Sequence, residues 1–232
     1  GRRAVRDSTT VALDYLEQAL ELYDEIGVNG GNIWLNIGVV LSKLEKNDLA
    51  KQYMSKALEL FGNSAWSLTE CHFWLAKLYI EEQERDSVYY HLDKAISIGN
   101  EVGNRYFVLN SQLKYAELIL ESNINLATDI AEAVQDSLKG IQDKINLANN
   151  YHLLYKCYKA QGKGELALSM HEMYVLYNDS IAEEGNKMVV VRAAIKGEFE
   201  QKLLLSELEN EKQRAEQELK QLKQLFLIVL LG

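Results

Sequence analysis

Histidine is the side chain most often used to bind zinc or to transfer protons near neutral pH, and the chain has four of them. A helical zinc site needs two ligands four residues apart on one face, and no pair of these histidines has that spacing. The helical pattern of the sequence places each one in a separate repeat. We therefore expect no metal centre, and we interpret His72 and His171 as interior residues of the core. The four are His72, His91, His152 and His171.

The sequence also lacks other signatures of catalysis. The two cysteines, Cys71 and Cys157, form no CxxC motif and are predicted to be small buried side chains. Gly30 and Gly31 precede a helical segment but lack the lysine and hydroxyl residue of a phosphate-binding loop. The acidic stretch 81–86 is typical of a solvated turn and not of a calcium loop. We expect no cofactor and no catalysis by this chain.

The composition favours helices and argues against nucleic acid as a partner. The chain of 232 residues has no proline, the residue that breaks the hydrogen-bond ladder of a helix. With 47% hydrophobic residues it can bury a core. Its formal net charge is −9, whereas a nucleic-acid binder needs a basic face to release counterions from the phosphates.

A repeated pattern of small residues organises most of the chain. Each set places a small or β-branched residue, a second residue four positions later, and a third three positions after that, all on one helical face. Successive sets lie about 38 to 40 residues apart. The sets are Ala12, Leu16 and Ala19; Ala50, Met54 and Ala57; Val88, Leu92 and Ala95; Ala127, Ala131 and Val134; and Ala167, His171 and Tyr174.

A second helix is predicted before each of the last four sets. Its small residues, Gly38, Ala76 and Ala116, would let it approach the following helix closely. Short polar turns such as 45–48 and 161–164 join the two helices. In each pair, we call the helix that comes first in the sequence helix A, and we call the helix that follows it and carries the small-residue set helix B.

This pattern resembles the tetratricopeptide repeat, TPR, over about residues 4–180, more weakly in the third repeat. It departs from the family in lacking the proline after helix B and in a period longer than the usual 34 or so residues. The resemblance implies an all-α, TPR-like α-α superhelix of about four and a half repeats, followed by a long C-terminal coiled-coil helix. The residues that carry it are Trp34, Ile37, Gly38, Leu41, Ala50, Met54 and Ala57 in the first complete repeat, and Gln161, Gly162 and Ala167 in the last.

Four positions of helix A usually line the concave groove of TPR proteins, and the resemblance carries these positions over. They form a mixed surface of amides, apolar groups and a few charges, which suits an extended or helical peptide or protein segment. The surface does not match the carboxylate clamp of chaperone-binding TPR domains. The candidate groove residues are Asn32, Leu35, Val39, Glu70, Phe73, Lys77, Asn110, Leu113, Glu117, Asn149, His152, Lys156 and Lys159.

The pattern changes to a heptad after Tyr177. Residues 178–180 could cap a new helix, in which apolar residues recur at steps of three and four over about five heptads. This repeat favours a parallel homodimeric coiled coil, and the alternative is a helix that folds back to cap the repeats. The proposed dimer seam comprises Leu205, Leu208, Ala215, Leu219, Leu222 and Phe226.

Residues 225–232 end the chain in an uninterrupted apolar run. A membrane span needs about 20 such residues, so we interpret the run as the start of a transmembrane helix or, alternatively, as an apolar tip buried in the dimer. The predicted organisation is a TPR array over 1–180, a coiled-coil helix over 181–224 and the apolar run over 225–232.

This order of parts resembles the sensor region of bacterial membrane-anchored signalling proteins. The resemblance implies a protein- or peptide-binding sensor that dimerises through its C-terminal helix. It also implies a periplasmic TPR part and an output outside this sequence, such as a histidine kinase, a nucleotide cyclase or a helix-turn-helix regulator. The alternative is a soluble, cytoplasmic TPR scaffold whose last helix caps the solenoid.

Overall fold

A computed structural model describes residues 2–27, 30–138 and 143–231. Within these ranges the chain forms nine α-helices and no strand, which confirms the predicted all-α fold class. Helix α1 is a single helix B, and the other eight form four hairpins of helix A and helix B. The helices are α1 (Arg2–Glu25), α2 (Gly31–Lys43), α3 (Asn47–Phe61), α4 (Ala65–Glu82), α5 (Arg85–Val102), α6 (Arg105–Ile119), α7 (Ile124–Leu138), α8 (Lys144–Ala160) and α9 (Gly164–Leu231).

Small residues mark the places where helix A meets helix B. A Cβ atom added to Gly38 of α2 would lie 2.7 Å from Cγ of Met54 and 3.1 Å from the carbonyl oxygen of Ala50, both on α3. Ala50, Met54 and Ala57 are fully buried. The two helix axes therefore approach as closely as a glycine allows, which is the packing that the repeated small residues predict.

Several helices end at residues with a left-handed backbone conformation, since the chain has no proline to end them. Gln83 closes α4 with a φ of 62°, and Gly103 closes α5 with a φ of 72°. Helix α5 continues to Val102 and α6 begins at Arg105, so only two residues link the second and third repeats. The amide of Asn104 donates to the carbonyl oxygen of Gly99 at 2.8 Å and satisfies an end group of α5.

The helices A lie side by side along one face of the repeat array. Helix α4 contacts α2 and α6, and α6 contacts α8. In the part of the chain that the structure describes, no Cα atom of α5 lies within 8 Å of a Cα atom of α3 or α7. Because helices on the inside of a curved stack crowd together, the helices A form its inner face.

Contacts divide the chain into two compact units, one ending at Tyr177 and the other beginning at Asn178. Helix α9 runs through this boundary, so the prediction that a new helix begins at 178–180 is wrong. In the second unit, Leu205 and Leu208 are exposed. No helix among the described residues combines the length and the hydropathy that a membrane crossing requires. The side chains of Ala215, Leu219, Leu222 and Phe226 lie outside the described residues.

Candidate peptide-binding groove

Each helix A leaves one stripe of side chains accessible on the inner face. The other sides of the helix pack against its own helix B and against neighbouring repeats, so the accessible residues recur at steps of three and four. We call these the inner stripes. They comprise Asn32, Asn36, Val39 and Lys43 on α2; Trp66, Glu70, Trp74, Lys77 and Glu81 on α4; Tyr106, Asn110, Lys114 and Glu117 on α6; and Ile145, Asn149, His152, Lys156 and Lys159 on α8.

Three of the candidate groove residues belong to the core. Leu35, Phe73 and Leu113 are 2%, 6% and 4% exposed, so they offer a partner little surface. The residues that directly follow them, Asn36, Trp74 and Lys114, lie on the inner stripes instead, because one step along a helix turns the side chain by about 100°. The other ten candidates are accessible or half-buried, and their role in binding stays a prediction: Asn32, Val39, Glu70, Lys77, Asn110, Glu117, Asn149, His152, Lys156 and Lys159.

A cleft of about 320 Å³ opens between the inner stripes of α4 and α6. It brings together two of the predicted residues, Lys77 and Glu117, although forty positions separate them in the sequence. Glu117 accepts a hydrogen bond from Nζ of Lys114 at 2.7 Å, an ion pair within one helix. The lining comprises Lys77, Ile80, Glu81, Lys114, Glu117 and Leu118.

Lys77 lines this cleft, and its ammonium group has no ion pair within the described residues. No carboxylate of the described residues lies within 4.0 Å of its Nζ atom. The Nζ atom lies 4.4 Å from the ring centroid of Trp74, at a distance typical of a cation–π contact. Burial lowers the pKa of Lys77, and the positive charge of Lys114 lowers it further, while Glu81 opposes both. A positive charge held in this way favours an anionic partner.

Glu70 lies two turns before Lys77 on the same helix. Burial raises the pKa of its carboxyl group, and the indole N–H of Trp74 opposes that effect. The stripe on α4 therefore presents a half-buried carboxyl group, an indole ring and an ammonium group in order along the helix.

Aromatic rings surround His152 between α8 and α9. The ring centroids of His152 and Tyr174 are 4.5 Å apart, and those of Tyr155 and His171 are 5.0 Å apart. Burial lowers the pKa of His152, and the charge of Lys156 adds to the effect. His171 is exposed, so its interpretation as an interior residue is wrong, since no helix of this unit follows to cover that face of α9.

His72 and His91 form a pair that the sequence analysis missed. They lie on α4 and α5, the two helices of one repeat, so their assignment to separate repeats is wrong. Their Nδ1 atoms are 2.8 Å apart, so one ring donates a hydrogen bond and the other accepts it. Burial lowers the pKa of each to about 4, and a neighbouring positive charge assists, from Lys94 for His72 and from His72 for His91.

The histidine pair belongs to no larger group of metal-ligating side chains within the described residues. Among the residues that the structure describes, no three His, Cys, Asp or Glu side chains are placed to hold a metal ion. Cys71, next to the pair in the sequence, is buried and donates its Sγ–H to the carbonyl oxygen of Met54 at 3.3 Å. Burial raises the pKa of the Cys71 thiol to about 12, so it is not a reactive thiolate at neutral pH.

Comparison with known proteins supports the repeat assignment. Residues 31–63 match the family profile described as Tetratricopeptide repeat. None of the curated proteins matches the sequence.

Solved structures share the fold of the repeat array at low sequence identity. BtubC (BKLC) from P. vanneervenii has a TM-score of 0.59 at 15% identity, covering 77% of this chain and 82% of that one. The apo form of RapI has a TM-score of 0.57 at 17% identity, covering 78% and 65%. The nearly identical TPR-like repeats of a putative kinesin light chain from Podosopora anserina have a TM-score of 0.55 at 14% identity, covering 78% and 92%. The profile match and these shared folds together support a TPR domain with a TPR-like superhelix.

Proposed function

We propose that this chain is a protein- or peptide-binding TPR module and that its partner lies along the inner stripes of α2, α4, α6 and α8. The observation that carries the proposal is the cleft between α4 and α6, in which the half-buried ammonium of Lys77 has no ion pair among the described residues. A half-buried charge without an ion pair reduces stability. The half-buried charge of Lys77 is therefore better explained by a role in binding than by a role in packing.

The binding module is, in our proposal, the sensor part of a signalling protein. A bound partner would change the curvature of the repeats, and a dimeric coiled coil formed by 181–224 would pass that change to an output domain. Two features support the dimer: the heptad pattern of the sequence and the exposure of Leu205 and Leu208, apolar side chains that a partner helix would cover. Membrane anchoring through 225–232, a periplasmic TPR part and the lack of catalysis belong to the same proposal.

Peptide selection tests the binding function. Short random peptides displayed on phage are selected on the chain, and hydrogen exchange is then measured with the enriched peptides. We expect exchange to slow in α4, α6 and α8 and to stay unchanged in α3 and α5, which lie on the outer face. Protection confined to the helices B, or no enrichment at all, would contradict the proposed groove.

Substitutions then locate the binding surface without disturbing the core. Asn149→Ala changes an accessible side chain of the inner stripes and should weaken the enriched peptides. Lys56→Ala is the matched control, because Lys56 is an exposed charged residue on helix B α3. Phe73→Ala is a poor test, since Phe73 is buried and its loss would destabilise the fold by roughly 3 to 5 kcal/mol.

The oligomeric state tests the signalling part. We expect light scattering to give a dimer and Leu208→Cys to form a disulfide-linked dimer on oxidation, because the native Cys71 and Cys157 are buried and do not compete. Leu208→Glu should shift the chain towards monomer. A monomer in every case would leave the TPR scaffold with a capping helix as the better explanation.

A further inference from the structure

We propose that the segment bound in the groove is acidic: one carboxylate pairs with Lys77, and a bulky apolar side chain of the same segment contacts a row formed by Trp66, Tyr106 and Ile145. This inference rests on the proposed function, since it names the chemistry of the partner at that same groove. It comes from two independent features of the inner face: an apolar row near the first turns of the helices A and, further along, the half-buried ammonium of Lys77, which has no ion pair among the described residues.

The apolar row occupies one repeat position in three consecutive repeats. Trp66, Tyr106 and Ile145 are 56%, 57% and 62% exposed, although each is large and hydrophobic. Each lies four residues before an inner-stripe residue (Glu70, Asn110 and Asn149 in turn), which places it on the same face of its helix. Because neighbouring helix axes lie about 8 to 10 Å apart, the three side chains form a row along one edge of the groove. Exposed apolar groups repeated in this way mark a contact surface.

Two lysines and two glutamates line the cleft, so the sign of the partner depends on which of these charges are already paired. Lys114 and Glu117 neutralise one another at 2.7 Å. Glu81 accepts a hydrogen bond from Nδ2 of Asn47 at 2.9 Å. The ammonium of Lys77 is left without an ion pair in the described chain, and the Trp74 ring holds it in place. A single carboxylate suffices to pair with this ammonium, and because Glu81 lines the same cleft, a doubly charged phosphate would be repelled about twice as strongly as a carboxylate.

The distance between the apolar row and Lys77 predicts how far apart the two matching residues lie in the sequence of the partner. Trp66 and Lys77 are eleven positions apart on one helix, which corresponds to about 16 Å along its axis. An extended peptide covers that distance in about five residues. The partner should therefore carry a bulky apolar residue and an aspartate or glutamate about five positions apart.

The peptides selected on the chain provide the test. Those that protect α4 and α6 from hydrogen exchange are sequenced, and one representative is measured by fluorescence anisotropy. We expect the acidic and apolar signature, a loss of affinity of about tenfold with Lys77→Gln, and a similar loss with Trp66→Ala. Lys56→Gln, on the outer face, should leave the affinity unchanged. A charge reversal tests the ion pair directly. Lys77→Glu should abolish binding of the acidic peptide, and a peptide with lysine in place of its acidic residue should bind this variant again.

The outcomes separate the two proposals. If groove-protecting peptides are basic or neutral, or if Lys77→Gln leaves their affinity unchanged, the acidic partner is wrong while the binding groove stands. If no peptide protects the helices A, both proposals fall.

Discussion

Lowering the pH from 6 to 5 should destabilise the repeat array through the His72–His91 pair. The two rings share one hydrogen bond between Nδ1 atoms 2.8 Å apart, which needs one neutral ring as acceptor. Burial lowers the pKa of both to about 4, below the ordinary value of 6.5. Because both pKa values are depressed by folding, the stability that depends on the neutral pair is complete above pH 6.5 and is lost as the pH falls towards 4.

The magnitude follows from proton binding. Between pH 6 and pH 5 the unfolded chain holds most of one proton on each histidine, while the folded pair holds almost none. Each such proton changes the free energy of unfolding by about 1.4 kcal/mol per pH unit. The two histidines together therefore lower the free energy of unfolding by about 2 kcal/mol between pH 6 and pH 5. This result holds as long as the pKa of each histidine in the folded chain stays below 5.

Urea unfolding followed by tryptophan fluorescence measures this loss. All three tryptophans lie in α2 and α4, so the signal reports on the repeat array and not on the second unit. The double variant His72→Gln/His91→Gln keeps two hydrogen-bonding side chains but does not titrate. Its free energy of unfolding should change by about 2 kcal/mol less than that of the original chain over the same pH unit.

A second variant shows whether the effect belongs to the pair. His171→Gln removes an exposed histidine and leaves the pair intact, so it should still lose stability between pH 6 and pH 5. If the double variant loses as much as the original chain does, the pair is not the cause and the reasoning from its burial is wrong.

Three substitutions test the packing. Gly99→Ala should cost about 1 to 3 kcal/mol, because the new Cβ would lie 2.6 Å from Cγ2 of Val108, and urea unfolding would measure it. Asn150→Cys should raise the free energy of unfolding by about 1 kcal/mol, since this buried carboxamide has no hydrogen-bond partner within the described chain. Tyr158→Phe should lower it by about 1 kcal/mol, because it removes a 2.7 Å hydrogen bond to Glu132.

The first of these has a matched control within the chain. Gly164→Ala adds a Cβ in open space and should be neutral or slightly stabilising, in contrast to Gly99→Ala. Cysteine already occupies the position equivalent to Asn150 in the second repeat, at Cys71. A loss of stability with Asn150→Cys would mean that the carboxamide has a partner, such as an ordered water. An unchanged stability of Tyr158→Phe would show that water replaces the Glu132 bond without cost.

The repeat was predictable because its cause is local. A small residue on helix A and another on helix B set how closely the two helices approach, and this requirement returns at every repeat, as Gly38 and Ala50 illustrate. The period could therefore be read from side-chain size alone. The histidine pair could not, since contact between positions nineteen apart depends on how α4 and α5 fold against each other.

Three of the thirteen candidate groove residues miss the accessible face of their helix by one step. The four-position rule placed Leu35, Phe73 and Leu113 on the surface, whereas the structure buries them and leaves the residues that follow them exposed or half-buried. These repeats are longer than the usual TPR period. Their helices therefore need not have the same rotation about their own axes as the helices of a typical TPR. The start of a new helix after Tyr177 was wrong for a related reason: cap-forming residues permit a helix end but do not require one, and no proline forces it.

Residues that set the chemistry of the groove are separable from residues that hold the repeats together. On helix B, the first position of the small-residue set stays small or β-branched and fully buried, as in Ala50, Val88 and Ala127. On the inner stripes, one equivalent position changes from apolar to positive to negative to positive along the array, in Val39, Lys77, Glu117 and Lys156. Packing constrains the first position and leaves the second free to vary. Exchanging charges at the second position should therefore alter which segment binds while the free energy of unfolding changes by less than about 0.5 kcal/mol.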